Sequence, residues 1–217
     1  MAGRRPGALR HPGVELRWYA ELRMLPPRVA WFQARARALA HRDGDRFSLT
    51  SVTRPRDLRT LLSVAERRAH VVELGTATGW TAISLALAKP GRRVTTFDIV
   101  PRPEPVRYLR LAGADARARI ELVTAAGADG PRDDQPVDLL YIDSSHERQA
   151  TVEEVRAWRP VLTPDATIVF DDYDHPDYPG VREAVQELEL DGRFVGTLFV
   201  ATPERAGRRS RCAGRAP

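Results

Sequence analysis

The stretch Val71–Leu87, VVELGTATGWTAISLAL, decides the fold. Val71, Val72, Glu73 and Leu74 make a short buried strand that ends on an acid. Gly75-Thr76-Ala77-Thr78-Gly79 supplies a tight turn, and from Trp80 to Ala88 apolar residues recur at helical spacing through Ile83, Leu85 and Leu87. Strand, glycine turn and helix in that order make a nucleotide-sized site. Glycine lets the backbone approach a ligand, and the helix start offers unpaired N–H groups. The pattern is not GxGxxG and no P-loop lysine follows Gly79, which argues against a pyrophosphate or triphosphate. Glu73 ahead of the turn disfavours phosphate further and suits a ligand carrying an amino group and a ribose.

Nineteen residues past Gly79, Val94-Thr95-Thr96-Phe97-Asp98 reads as a second strand ending in a carboxylate, the position that meets ribose hydroxyls in doubly wound folds. Together, ELGTATGWTA and TTFD resemble the first two motifs of class I S-adenosylmethionine-dependent methyltransferases. The resemblance implies that Gly75, Thr76 and Gly79 border the methionine part of S-adenosyl-L-methionine and that Asp98 holds its ribose. The family's middle glycine is Ala77 here, which narrows the turn. Ala125-Ala126-Gly127 falls where the family approaches adenine. Ala126 has no side-chain acceptor, so recognition there would rest on backbone contacts.

Further along, Ile120–Val123, Val137–Asp143 and Ala166–Asp172 read as strands three to five, with helices over Val106–Ala112, Thr151–Trp158 and Val181–Leu190. One or two closing strands fit Arg193–Ala201. The alternation predicts an α/β class fold: a doubly wound, mostly parallel, Rossmann-like sheet with helices on both faces. Ligands then bind beyond the carboxyl ends of the strands. Before this region, Val14–Leu25 and a segment from Pro27 to His41 read as helices, Arg42–Thr50 as a polar connection, and Arg54–Glu66 as a further helix. The organisation expected is a basic arm over 1–13, a helical cap over 14–50, a methyltransferase domain over 51–203 and a basic tail over 204–217. Trp18, Trp31 and Phe32 are candidates for apolar walls of a substrate pocket, and Arg35 and Arg37 for the solvent face of their helix.

Strands one, two, four and five end in acids: Glu73, Asp98, Asp143, and Asp171 with Asp172. Neighbouring parallel strands lie about 4.8 Å apart, so Asp143 and the Asp171–Asp172 pair can meet at one rim. Three carboxylates there repel one another unless a cation is present, and a hard divalent ion such as Mg²⁺ resolves the conflict. The run from Tyr141 to Leu188 resembles the cation-dependent O-methyltransferases, in the branch with antibiotic-sugar and cephalosporin-tailoring enzymes, although the catechol type has Asp-Asn where this chain has Asp171-Asp172. It implies Asp143, Asp171 and Asp172 as metal ligands, with Asp143 also near the cofactor, and His146 as general base. His175 competes for that role. The activity implied is methyl transfer from S-adenosylmethionine to a hydroxyl of a small molecule. A metal-independent N- or RNA methyltransferase, or a non-catalytic cofactor-binding protein, are the other readings.

The net charge of +5 belongs to the ends: eight arginines against Glu204 leave residues 11–203 at −2, so nucleic acid is not the partner expected. No apolar run approaches a membrane span, and the arginine-rich start has no signal-peptide core, which predicts a cytoplasmic protein. Cys212 stands alone, excluding an intrachain disulfide. A homo-oligomer is compatible with all of this.

Overall fold

The computed structural model describes residues 12–202. The basic tail and Cys212 lie outside the described residues, as does the basic arm up to residue 11, whereas Pro12 and Gly13 already belong to the first helix.

Four helices precede the sheet. They are α1 (Pro12–Glu21, followed by a 3₁₀ turn Leu22–Met24), α2 (Pro27–Asp43), α3 (Arg46–Ser51) and α4 (Pro55–Val64). Pro27 and Pro55 open their helices at positions whose N–H has no partner to lose, and Gly44, left-handed at φ +66°, ends α2. Then follow β1 (His70–Leu74), α5 (Trp80–Ala88), β2 (Arg93–Asp98), α6 (Pro103–Leu109), α7 (Ala114–Arg117), β3 (Ile120–Thr124) and β4 (Val137–Ile142). The chain closes with α8 (Arg148–Trp158), β5 (Leu162–Phe170), α9 (Pro179–Glu187), β6 (Gly192–Val195) and β7 (Leu198–Ala201). The strands form one sheet in the order β3-β2-β1-β4-β5-β7-β6, with β7 antiparallel to both neighbours and the first five strands parallel. This is the doubly wound architecture expected from the alternation of strands and helices.

Register aligns the strand ends. Leu74 pairs with Phe97 and with Ile142, and Ile142 pairs with Phe170, so Gly75, Asp98, Asp143 and Asp171 each follow one residue beyond a shared line. The order reverses between β1 and β4, the switch point at which such sheets bind ligands. Alternate strand residues feed two cores. Val71, Val94, Leu139, Tyr141 and Val169 pack with α1, α2, α4 and α5, whereas Val72, Leu140, Ile142, Ile168 and Phe170 pack with α8 and α9.

The structure corrects several expectations, most of them in the N-terminal third. Arg46–Ser51 is a helix, not a polar connection: the Asp45 carboxylate accepts from the Ser48 backbone N–H (3.0 Å) and its hydroxyl (2.7 Å), capping α3. Trp18 is a core residue rather than a pocket wall, whereas Phe32, buried and edge-on to Trp80 at 6.3 Å, also lines a cavity of about 490 Å³ together with Trp31, Leu87 and Leu111. Trp31 is exposed with the Arg35 guanidinium over its ring. Arg37 is buried, because α1 folds back on α2 and brings Glu15 within 2.9 Å of its Nε and the Trp18 ring beneath it. β5 begins at Leu162 and ends at Phe170, which leaves Asp171 and Asp172 in the loop beyond it. No helix among the described residues is long and apolar enough to cross a membrane.

Candidate active site

The turn after β1 is held close to its neighbours. Gly75, at φ +106°, lies so near β4 that a Cβ would overlap the Asp143 carbonyl oxygen, and Gly79, at φ +77°, faces Pro105 with a Cβ-equivalent distance of 3.1 Å. Ala77 adopts φ +43° without glycine's freedom. Its N–H is received by Asp98 Oδ2 (2.9 Å), while Asp98 Oδ1 accepts the Val100 N–H (2.9 Å). Asp98 therefore closes the turn from the second strand and keeps lone pairs for a ligand. Beside it opens a cavity of about 230 Å³ lined by Thr76, Ala77, Asp98, Val100, Pro105 and Leu122 among others.

Glu73 sits beneath this turn, 1% exposed. Thr96 donates to its Oε2 at 2.5 Å, and the Thr96 and Thr76 hydroxyls are 2.7 Å apart. Burial pushes the Glu73 carboxyl up to about 8, overriding the Thr96 hydrogen bond. Glu73 supports the turn through a hydroxyl chain rather than facing the cavity. Ala126 begins a 3₁₀ turn, and its N–H goes to Asp129 Oδ2 at 3.1 Å, so that donor is already used.

Across the switch point the remaining acids gather. The buried Tyr141 hydroxyl donates to Asp171 Oδ2 at 2.8 Å and lies 3.3 Å from Asp143 Oδ2. His146 Nε2 is 3.4 Å from Asp143 Oδ1 and 3.5 Å from Asp172 Oδ2, yet this buried atom makes no hydrogen bond. Burial raises Asp143 and lifts Asp171 to about 7, with the charge of Asp143 adding to the latter. Burial alone would lower His146, but its close contact with the Asp143 carboxylate and the charges of Asp143, Asp172 and Asp171 prevail and raise it. Like charges this close favour proton uptake or a bound cation. Asp172 (φ +52°) and His146 (φ +61°) share left-handed backbone with Ala77, so three of the four such non-glycine residues among those described are here.

Sequence-predicted Asp143, Asp171, Asp172 and His146 thus come together. His175 does not join them: it is exposed, and its Nδ1 accepts the Asp177 N–H at 3.2 Å. Tyr141 was missed, because a tyrosine in an apolar strand reads as core. Among the described residues, no group of three or more His, Cys, Asp and Glu side chains is arranged to hold a metal as it stands. The donor chemistry nonetheless fits a hard divalent cation: Asp143 and Asp172 flank the His146 Nε2, and Asp171 is linked to Asp143 through the Tyr141 hydroxyl. Ligation requires the carboxylates to turn towards a common centre, and the Tyr141 hydroxyl can stay on Asp171 as an outer partner.

Comparison with known proteins agrees with this fold. Residues 72–173 match a family model described as a methyltransferase domain. No protein of curated function is similar in sequence. Among solved structures, a putative O-methyltransferase from Klebsiella pneumoniae superposes with a TM-score of 0.64 at 19% identity, over 87% of this chain and 98% of that one. The O-methyltransferase TomG from Streptomyces achromogenes, in complex with S-adenosylmethionine, gives 0.56 at 22%, over 82% and 89%. CalS11, a TDP-rhamnose 3'-O-methyltransferase of calicheamicin biosynthesis, gives 0.54 at 20%, over 67% and 78%. Residues 72–173 are thus similar to a methyltransferase domain, and the chain has the fold of these solved O-methyltransferases.

Proposed function

We propose that this methyltransferase moves a methyl group from S-adenosylmethionine to a hydroxyl oxygen of a small molecule, assisted by a divalent cation, Mg²⁺ in the first instance. The observation that carries the reading is the meeting of Asp143, Asp171, Asp172 and His146 at the β4–β5 rim, beside the β1 turn. The likeness to TomG and CalS11, whose names specify O-methyl transfer, supports the same class.

When bound, S-adenosylmethionine supplies a methyl on a sulfonium sulfur, and the cation lowers the pKa of the acceptor hydroxyl. The chain's residues do the rest. Asp98 is available to accept from ribose hydroxyls while it fixes the Ala77 N–H. Gly75 and Gly79 keep the turn free of side chains where the methionine part would lie. Asp143, Asp171 and Asp172 would hold the cation. His146, its Nε2 3.4 Å from Asp143 Oδ1, would take the acceptor hydroxyl's proton as the methyl is transferred. Holding oxygen and methyl in line supplies much of the acceleration.

The test is transfer of labelled methyl to a panel of hydroxylated small molecules, with calorimetry of Mg²⁺ and of cofactor alongside. Chelation, or Asp171→Ala, should abolish Mg²⁺ binding and turnover while cofactor affinity persists. Unimpaired turnover after chelation removes the cation from the scheme. Label arriving only on nitrogen or RNA replaces the acceptor class.

A further inference from the structure

We propose that Tyr178 and Gly180, at the entrance to α9, are positioning residues that hold His146 in its working orientation. The proposal rests on the methyl-transfer reading above, in which His146 receives the acceptor's proton. His146 needs external support. Its backbone is left-handed at φ +61°, a conformation that costs a non-glycine residue free energy and persists only where surroundings enforce it. Its Nε2 has only long contacts, 3.4 Å to Asp143 and 3.5 Å to Asp172, so no well-formed hydrogen bond fixes the ring's rotation.

Two contacts from one neighbouring loop supply what is missing. The Tyr178 ring stacks on the imidazole with centroids 4.5 Å apart and planes at 22°. At Gly180 a Cβ would stand 2.6 Å from the His146 carbonyl oxygen and 2.6 Å from the Arg148 N, backbone atoms that cannot swing aside. The start of α9 is thus seated directly on the His146 backbone, and only glycine permits it. The loop bringing these residues is itself braced: His175 N–H donates to the Asp172 carbonyl (3.0 Å), and Tyr178 N–H donates to the His175 carbonyl (3.0 Å). Behind it, Arg148 and Arg156 on α8 both pair with Glu187 on α9. His175 packs against Tyr178 at 4.8 Å, which gives that histidine a place in the clamp without a place among the acids.

A base must keep its nitrogen within a fraction of an ångström of the proton it takes, and a displacement of about 1 Å can cost on the order of 10²-fold in rate. Tyr178 acts through its ring face, so Tyr178→Phe should keep near-normal turnover, whereas Tyr178→Leu should lower kcat about tenfold or more with KM and cofactor affinity held. Gly180→Ala should lower kcat at least as far, because its methyl displaces the loop. A readout independent of any acceptor is the imidazole C–H resonances of His146 in the full, histidine-labelled chain, assigned by their loss in His146→Gln. Ring currents from Tyr178 should shift them in wild type and Tyr178→Phe, and the shift should vanish in Tyr178→Leu. Resonances that ignore Tyr178→Leu, or a Tyr178→Phe enzyme as slow as Tyr178→Leu, overturn the proposal. A wild-type chain that methylates no acceptor while the resonances behave as expected sinks the methyl-transfer reading and leaves the clamp standing.

Discussion

Ala77 occupies the centre of the β1 turn at φ +43°, where an L-residue with a Cβ pays about 1–2 kcal/mol that glycine does not. Ala77→Gly should therefore stabilise the folded chain by about 1 kcal/mol, read as a raised denaturant midpoint, offset only in part by the extra freedom glycine gives the unfolded chain. A drop in midpoint would mean that the alanine methyl packs in a way that outweighs its backbone strain. Glu73 makes a second case. Burial raises its folded pKa from 4.5 to about 8. The folded chain thus keeps a proton that the unfolded chain gives up, so this residue lowers stability progressively as pH rises from about 4.5 to 8. Glu73→Gln, neutral and of the same shape, should flatten that part of the profile. Melting curves of cofactor-free wild type and variant across this range should converge at the acid end and separate towards neutral pH. Parallel curves would show that the carboxyl ionises in place.

At the scale of elements, α3 shows how a six-residue helix is held from outside itself. Asp45 caps it, and the same carboxylate accepts from the Tyr108 hydroxyl at 2.8 Å and from Arg107 at 3.2 Å, both on α6. Burial would raise the Asp45 pKa, but the Ser48 bonds, Tyr108 and Arg107 together lower it. Asp45→Ala should cost about 1–2 kcal/mol at neutral pH, the upper range for a lost cap. Because the folded pKa is depressed, the gap from wild type should close as pH falls through it, and chemical denaturation at neutral and acid pH measures both. This dependence on residues some sixty positions away is why Arg42–Thr50 reads as a connection in the sequence. Arg37 is misread for a similar reason, since its partner Glu15 is on another helix. By contrast β1, α5, β2 and β4 declare themselves locally, through apolar spacing, glycine and a closing acid, and β2 ends on Asp98 while β4 runs directly into Asp143. His146 and the Asp171–Asp172 pair were legible because each follows such a strand. Tyr141 was not, because alternation along a strand gives the face a side chain takes and says nothing of a hydroxyl reaching the rim.

Across the whole molecule, the expected active-site residues are divided between two halves of the chain. The glycine turn and Asp98 belong to the half ending with β3, and the acid cluster with His146 to the half beginning with β4. They join along one seam, where β1 pairs with β4. That seam has a consequence for the chain while it is being made. Ribosomes add about 5–20 residues per second, so Leu74 waits several seconds for Ile142 to be synthesised and to clear the exit tunnel. Until then the nascent chain presents β1, destined for the middle of the sheet, as a bare apolar edge. In the living cell this interval is when the protein is most exposed to wrong partners, and when a chaperone that shields strand edges has most to offer it.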